Sequence, residues 1–212
     1  MTRCTPCVLC GTHRTLATVH RIAVRLRRSS RRCCLRSHSE SELISHYIGQ
    51  RDADSAWYFM RDLRARTEGI FQLTSDGLRA YVDAVDAHFA TSIHFAQLIK
   101  LYSSRDITGP DWYGATSRVT GTIPSVRCGR PEPRFVSTSY VEGLNLSVRT
   151  HLRRYARRTN AHSRKLANHE ACVALWVAWY NFVRVNTSVR ITPCMAAGIT
   201  STIWTMRELL EA

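Results

Sequence analysis

All nineteen aromatic residues of this 212-residue chain lie from Tyr47 onward. At the chain's 9% aromatic content, the first 42 residues should hold roughly four. Aromatic rings supply much of the buried area of a core. The core must therefore be assembled after about residue 42. The leader, residues 1–42, instead carries nine Arg and five of the eight Cys, with no Asp. Runs such as RLRRSSRRCCLR read as coding sequence translated in a shifted frame, which translating the other two frames of the gene would test. We expect residues 1–42 to be poorly ordered. Residues 43–198 should form the main domain, and residues 199–212 a tail with a short helix.

The chain is 44% apolar and 22% charged, a globular balance. Its charge is one-sided: 30 basic residues against 16 acidic ones, net +14. All the basic residues except Lys100 and Lys165 are Arg. Guanidinium groups fork onto phosphate with two hydrogen bonds, so nucleic acid is the expected partner. The longest apolar run, ACVALWVAWY at 171–180, is about half of a membrane span, so no membrane partner is expected. Arg21 and Arg25 interrupt any secretory segment, and we expect reduced thiols in a cytoplasmic setting. Cys4, Cys7 and Cys10 form CxxCxxC with His13 following, and Cys33 and Cys34 are adjacent. These lack the two separated knuckles of a zinc site.

From residue 43 the pattern becomes regular. LISHYIGQ (43–50) reads as a strand. Asp52 can cap a helix with Ala53, Ala56, Trp57, Met60 and Leu63 on its apolar face. IFQLTS (70–75) reads as a strand ending at Asp76-Gly77. A helix bearing Leu78, Tyr81, Val82, Val85 and Phe89 follows, then a strand over 93–102. This alternation predicts a layered α/β sheet. Residues 105–133 hold four of the ten Gly and four of the six Pro, which predicts a loop or insertion. Two helices are predicted over about 139–158 and 165–184. The short helix PCMAAG comes after them.

Two carboxylates stand out. Asp76 ends a buried strand, where ligands of open α/β sheets gather. It could equally be a turn-forming Asp-Gly pair. Glu142 heads a polar stripe with Asn145, Arg149 and Arg153 at helical spacing. Such stripes are commonly solvated faces. However, residues 127–165 hold ten basic residues and two acidic ones, Glu132 and Glu142. A merely solubilising face mixes signs. Trp176, Trp179 and Tyr180 could stack bases, although Trp176 and Tyr180 share an apolar stripe and fit a core better. His151, His162 and His169 read as phosphate-side or capping residues.

The blocks LTSDGLRAY (73–81), STSYVEGLNLSVR (137–149) and YNFVRVNTSVRITPCMAAG (180–198) resemble bacterial insertion-sequence transposases of the DDE type, in the insertion-sequence-one-like group. RDADSAWYFMRDLRAR (51–66) and the stretch over 159–182 are similar to the same group, so the resemblance spans roughly 43–212. It implies an RNase H-like fold: a mixed sheet with flanking helices, incomplete at its N-terminus, plus C-terminal helices. It implies Asp76 as the second and Glu142 as the third catalytic carboxylate. Together with a first Asp, these would bind two Mg²⁺ or Mn²⁺ ions for DNA cleavage and strand transfer. Asn145, Arg149, Arg153, Arg154, Arg157, Arg158 and Lys165 would contact DNA, both transposon ends and target. A homo-oligomer on paired ends and a bacterial, nucleoid-associated cytoplasmic location are further implications.

The chain departs from the group in three places. No Asp precedes Asp52, so the first catalytic Asp is missing, and Glu40 and Glu42 carry no motif that would replace it. Gly143-Leu144 stands where relatives carry Arg-Gln, and Asn186 where they often carry His. The expected function is therefore transposition with impaired catalysis. The alternatives are a non-catalytic DNA-binding remnant and an RNase H-like nuclease.

Overall fold

The computed structural model describes residues 22–26, 42–104, 117–156, 160–161, 163–187 and 190–212. The central element is β2 (Phe71–Asp76), buried along its length up to a half-buried Asp76. It pairs antiparallel with β1 (Ile22–Leu26) and parallel with β3 (His94–Ser104). Outermost is β4 (Ser117–Cys128), antiparallel to β3, giving the order β1-β2-β3-β4. The fold is thus α/β with a mixed sheet.

A parallel pair needs a crossover, and α2 (Ala80–Phe89) provides it between β2 and β3. Ahead of β2 runs α1 (Ala53–Arg66), opened by Asp52, whose side chain accepts a hydrogen bond from the Ser55 N–H at 2.9 Å. Side chains alternate between strand faces. Phe71, Leu73 and Phe95 point to one face, where Ala56, Phe59, Met60 and Leu63 of α1 and Tyr81, Val85 and Phe89 of α2 cover them. On the other face, the Gln72 amide donates to the Glu132 carbonyl and accepts from the Glu132 N–H (3.3 and 2.9 Å).

A second core lies between α3 (Ser139–His151) and α4 (Leu166–Phe182). Val148, Val173, Trp176 and Tyr180 meet there with Tyr155 and Leu43. The chain ends in α5 (Pro193–Ala196) and α6 (Met206–Glu211), the latter started by a reciprocal Thr205–Glu208 capping box. Among the described residues, no helix is long and apolar enough to cross a membrane.

Several expectations are corrected. Residues 43–50 form no strand: Leu43 and Ile48 pack into the second core while Ile44 and Tyr47 pack against the first. That spacing does not alternate, and both backbone polar groups of Leu43 are taken by the Asn181 side chain (3.1 and 2.9 Å). The segment is a strap joining two cores. The expected loop over 105–133 contains β4 instead; Pro124 and Gly121 are tolerated because β4 is an edge strand. The leader contributes β1 at Ile22–Leu26, while Cys4, Cys7, Cys10, His13, Cys33, Cys34 and Glu40 lie outside the described residues. The helix expected to reach residue 158 stops at His151, and Arg153–Tyr155 form a 3-10 turn. On α1, Phe59 takes the core position expected of Trp57, which is 41% exposed beside the Arg61 guanidinium.

Candidate functional site

Asp76 sits at the C-terminal end of β2, its side chain 17% exposed. One carboxylate oxygen accepts from the Leu78 N–H at 3.3 Å, which tightens the turn into α2. The other accepts from the Arg51 guanidinium at 2.6 Å. Gly77 follows because a Cβ there would come within 3.3 Å of Ile99 on β3. Beneath the turn, the buried Gln97 amide donates to the carbonyls of Asp76 and Leu78 (both 3.0 Å). The Arg127 guanidinium donates to the Gln97 amide oxygen at 3.2 Å, so the amide's orientation is set.

Glu142 lies in the first turn of α3, where a negative charge suits the helix dipole. Its Oε1 accepts from the Thr138 hydroxyl at 3.0 Å and is ion-paired with the Lys100 ammonium. Lys100 relates the position of Glu142 to that of Asp76. It stands two residues beyond Leu98, the β3 partner of Asp76 in the parallel ladder, so Asp76, Leu98 and Lys100 share a face. Ordinary strand spacings put the Cα of Lys100 about 8 Å from that of Asp76. The structure thus brings Asp76 and Glu142 to one region of the sheet, across 66 residues of chain, with Arg51 on one and Lys100 on the other.

These donors do not fit a two-ion centre. Two carboxylates, each committed to a cation, supply too little charge and too few oxygens for two dications. Among the described residues, no group of three or more His, Cys, Asp or Glu gathers as a metal site. Glu42 lies near Cys194 instead: burial pushes that thiol up to about 11, and the Glu42 charge adds to the rise.

The expected DNA-contacting residues are distributed around α3 and the start of α4. Arg149, Arg153 and Lys165 are exposed; Asn145 and Arg154 are half-buried. Arg153 has left the α3 stripe for the 3-10 turn. Arg157, Arg158 and His162 lie outside the described residues. His169 is buried rather than phosphate-facing, with its Nε2 3.0 Å from the Tyr155 hydroxyl. Burial holds its imidazole below the usual range, with the Arg154 charge next in effect and Glu170 opposing. Trp176 and Tyr180 belong to the core, and Arg184 stacks on the Tyr180 ring at 5.0 Å. The sequence reading missed Arg51 and Lys100 as site residues, and nothing local marks a cation that will meet an acid 25 or 42 positions away.

No family model matches the chain, and neither a curated protein nor a solved structure matches it.

Proposed function

We propose that this protein is a DNA-binding relative of DDE-type insertion-sequence transposases, built on an RNase H-like sheet, whose DNA cleavage and strand transfer are impaired. The observation that carries the reading is that Glu142 is ion-paired with Lys100, which shares a face of the β2–β3 pair with Asp76, while exposed Arg149, Arg153 and Lys165 lie at and beyond the end of α3. The impairment follows from the donor set: no first Asp, and Arg51 and Lys100 seated on the two acids that remain. Exposed Arg149, Arg153 and Lys165 would hold the DNA backbone, so affinity should fall steeply with salt.

The test is a nicking assay on a terminal inverted repeat with Mg²⁺ or Mn²⁺, run beside a binding assay on the same DNA. We expect binding with little or no cleavage. Robust cleavage lost in Asp76→Ala would overturn the impairment. A non-catalytic remnant is the second reading, favoured by the ion pairs on both acids; it requires DNA affinity to survive Asp76→Ala and Glu142→Ala. Preferential cutting of RNA–DNA hybrids would point instead to an RNase H-like nuclease.

A further inference from the structure

A cleft of about 590 Å³ opens between the end of α3, the 3-10 turn and the start of α4. Arg153 and Arg154 line it from the turn, Ser163 and Arg164 from the following loop, and Asn168 and Cys172 from α4. Among the described residues, no Asp or Glu lines it. Among the described residues, none of the three Arg is ion-paired with a carboxylate. Arg154 is held in place, donating to the buried Ser163 hydroxyl. Its charge is felt inward as far as His169, whose imidazole is depressed by burial and then by Arg154. The first turn of α4 has no side-chain cap, so its N–H groups add to the same positive rim.

Three like charges around one concavity repel one another, and among the described residues none of them is ion-paired with a carboxylate. Solvating surfaces spread such charges out or mix their signs. Planar guanidiniums with an amide beside them suit a tetrahedral oxyanion, which accepts several forked hydrogen bonds. The cleft also begins where α3 ends: His151, its last residue, lines the cleft, about 3 Å of helix rise beyond Arg149. A duplex lying along α3 would bring its next phosphates there.

We propose that this cleft grips a backbone phosphodiester of duplex DNA, with Arg153, Arg154, Arg164 and Asn168 as its contacts. The choice of ligand rests on the DNA-binding reading above, and Arg164 and Asn168 are new to the interface. Cys172 lines the cleft and reports its occupancy.

The test alkylates the full-length protein with iodoacetamide and follows the Cys172 peptide by mass spectrometry. A 20-bp duplex or inorganic pyrophosphate is titrated in, and duplex affinity is measured by anisotropy across a salt series. The duplex should slow Cys172 alkylation at least fivefold. Exposed Arg164→Ala should remove that protection and make the slope of log affinity against log salt shallower by about one, one phosphate contact being worth ~0.9. Arg164→Lys should keep the slope. Arg149→Ala, outside the cleft, should weaken binding yet leave protection intact at saturating duplex. Duplex binding with unchanged Cys172 reactivity and an unchanged slope in Arg164→Ala overturns the cleft while leaving DNA binding standing. Protection by pyrophosphate with no duplex binding overturns the DNA ligand and marks a free-phosphate site. Protection by neither overturns the proposal.

Discussion

Lys100 bears directly on how Glu142 behaves. A carboxylate that already holds an ammonium and a hydroxyl has its best lone pairs in use. An ion binding through Oε1 of Glu142 must displace the Lys100 head group. The pair is partly exposed, the Glu142 side chain by 48%, so it is worth no more than about 1 kcal/mol. Lys100→Met should therefore raise Mn²⁺ affinity about fivefold, measured by the loss of free-ion signal in electron paramagnetic resonance. Equal affinity in wild type and variant would mean that Glu142 is not a ligand. A second prediction concerns buried imidazoles. His46 and His169 are both held below 6.5, chiefly by burial and then by Arg66 and Arg154 respectively. Near pH 6.5 the unfolded chain takes up protons that the folded chain refuses. Their contribution to stability is therefore complete above about 6.5 and is lost as pH falls through the depressed folded values. Each contributes at most about 1.4 kcal/mol per pH unit in that window. Melting temperatures measured from pH 8 to pH 5 should fall below 6.5, and His169→Gln should flatten part of that fall. A parallel fall in the variant would assign the effect elsewhere.

Helices were readable from periodicity, and the connections between them were not. In α1, α2 and α4, apolar residues recur at three and four positions, and each helix buries that stripe. β2 was legible as an apolar run closed by Asp-Gly. β4 was hidden because Gly121 and Pro124 look like loop residues, and because a register shift opposite Leu101 and Tyr102 breaks its alternation between Val119 and Gly121. The strap at 43–50 was misread because its apolar density resembles a strand, whereas its side chains serve two cores. Asp76 and Glu142 stood out as candidates by residue type and position; the cations paired with them did not, because ion pairs distant in sequence leave no local spacing. Glycine separates two kinds of element position by experiment. Gly143 is exposed within α3, and a Cβ there would meet nothing within 4 Å. Gly143→Ala should stabilise the protein by about 0.5–1 kcal/mol in urea unfolding, through lower backbone entropy of the unfolded chain. Gly77→Ala should destabilise it, since Ile99 must give way at 3.3 Å. A neutral or destabilising Gly143→Ala would mean that the α3 start is not helical in solution.

Across the whole molecule, the charge excess sets two opposed responses to salt. The chain carries +14, and Arg149, Arg153, Arg154, Arg164 and Lys165 crowd around α3 and the start of α4 with no ion-paired carboxylate among the described residues. Self-repulsion of this kind opposes the folded state. The Debye length shrinks from ~30 Å at 0.01 M to ~8 Å at 0.15 M salt, so repulsion between neighbouring helices is screened over that range. Melting temperature should rise by several degrees between those concentrations, as for about 1 kcal/mol in a domain of this size. Bound polyanion does the same work locally, releasing counterions as it neutralises the Arg row. Duplex DNA should therefore stabilise the protein strongly at 0.01–0.05 M salt and progressively less above it, following the fall in affinity. The two curves, protein alone and protein with duplex, should converge as salt increases. Calorimetric melts of the full chain with and without a 20-bp duplex at four salt concentrations test this. Parallel curves would mean that the basic region is not where the DNA sits, and a free-protein melt that is flat with salt would mean that the Arg excess is dispersed rather than concentrated around α3 and α4.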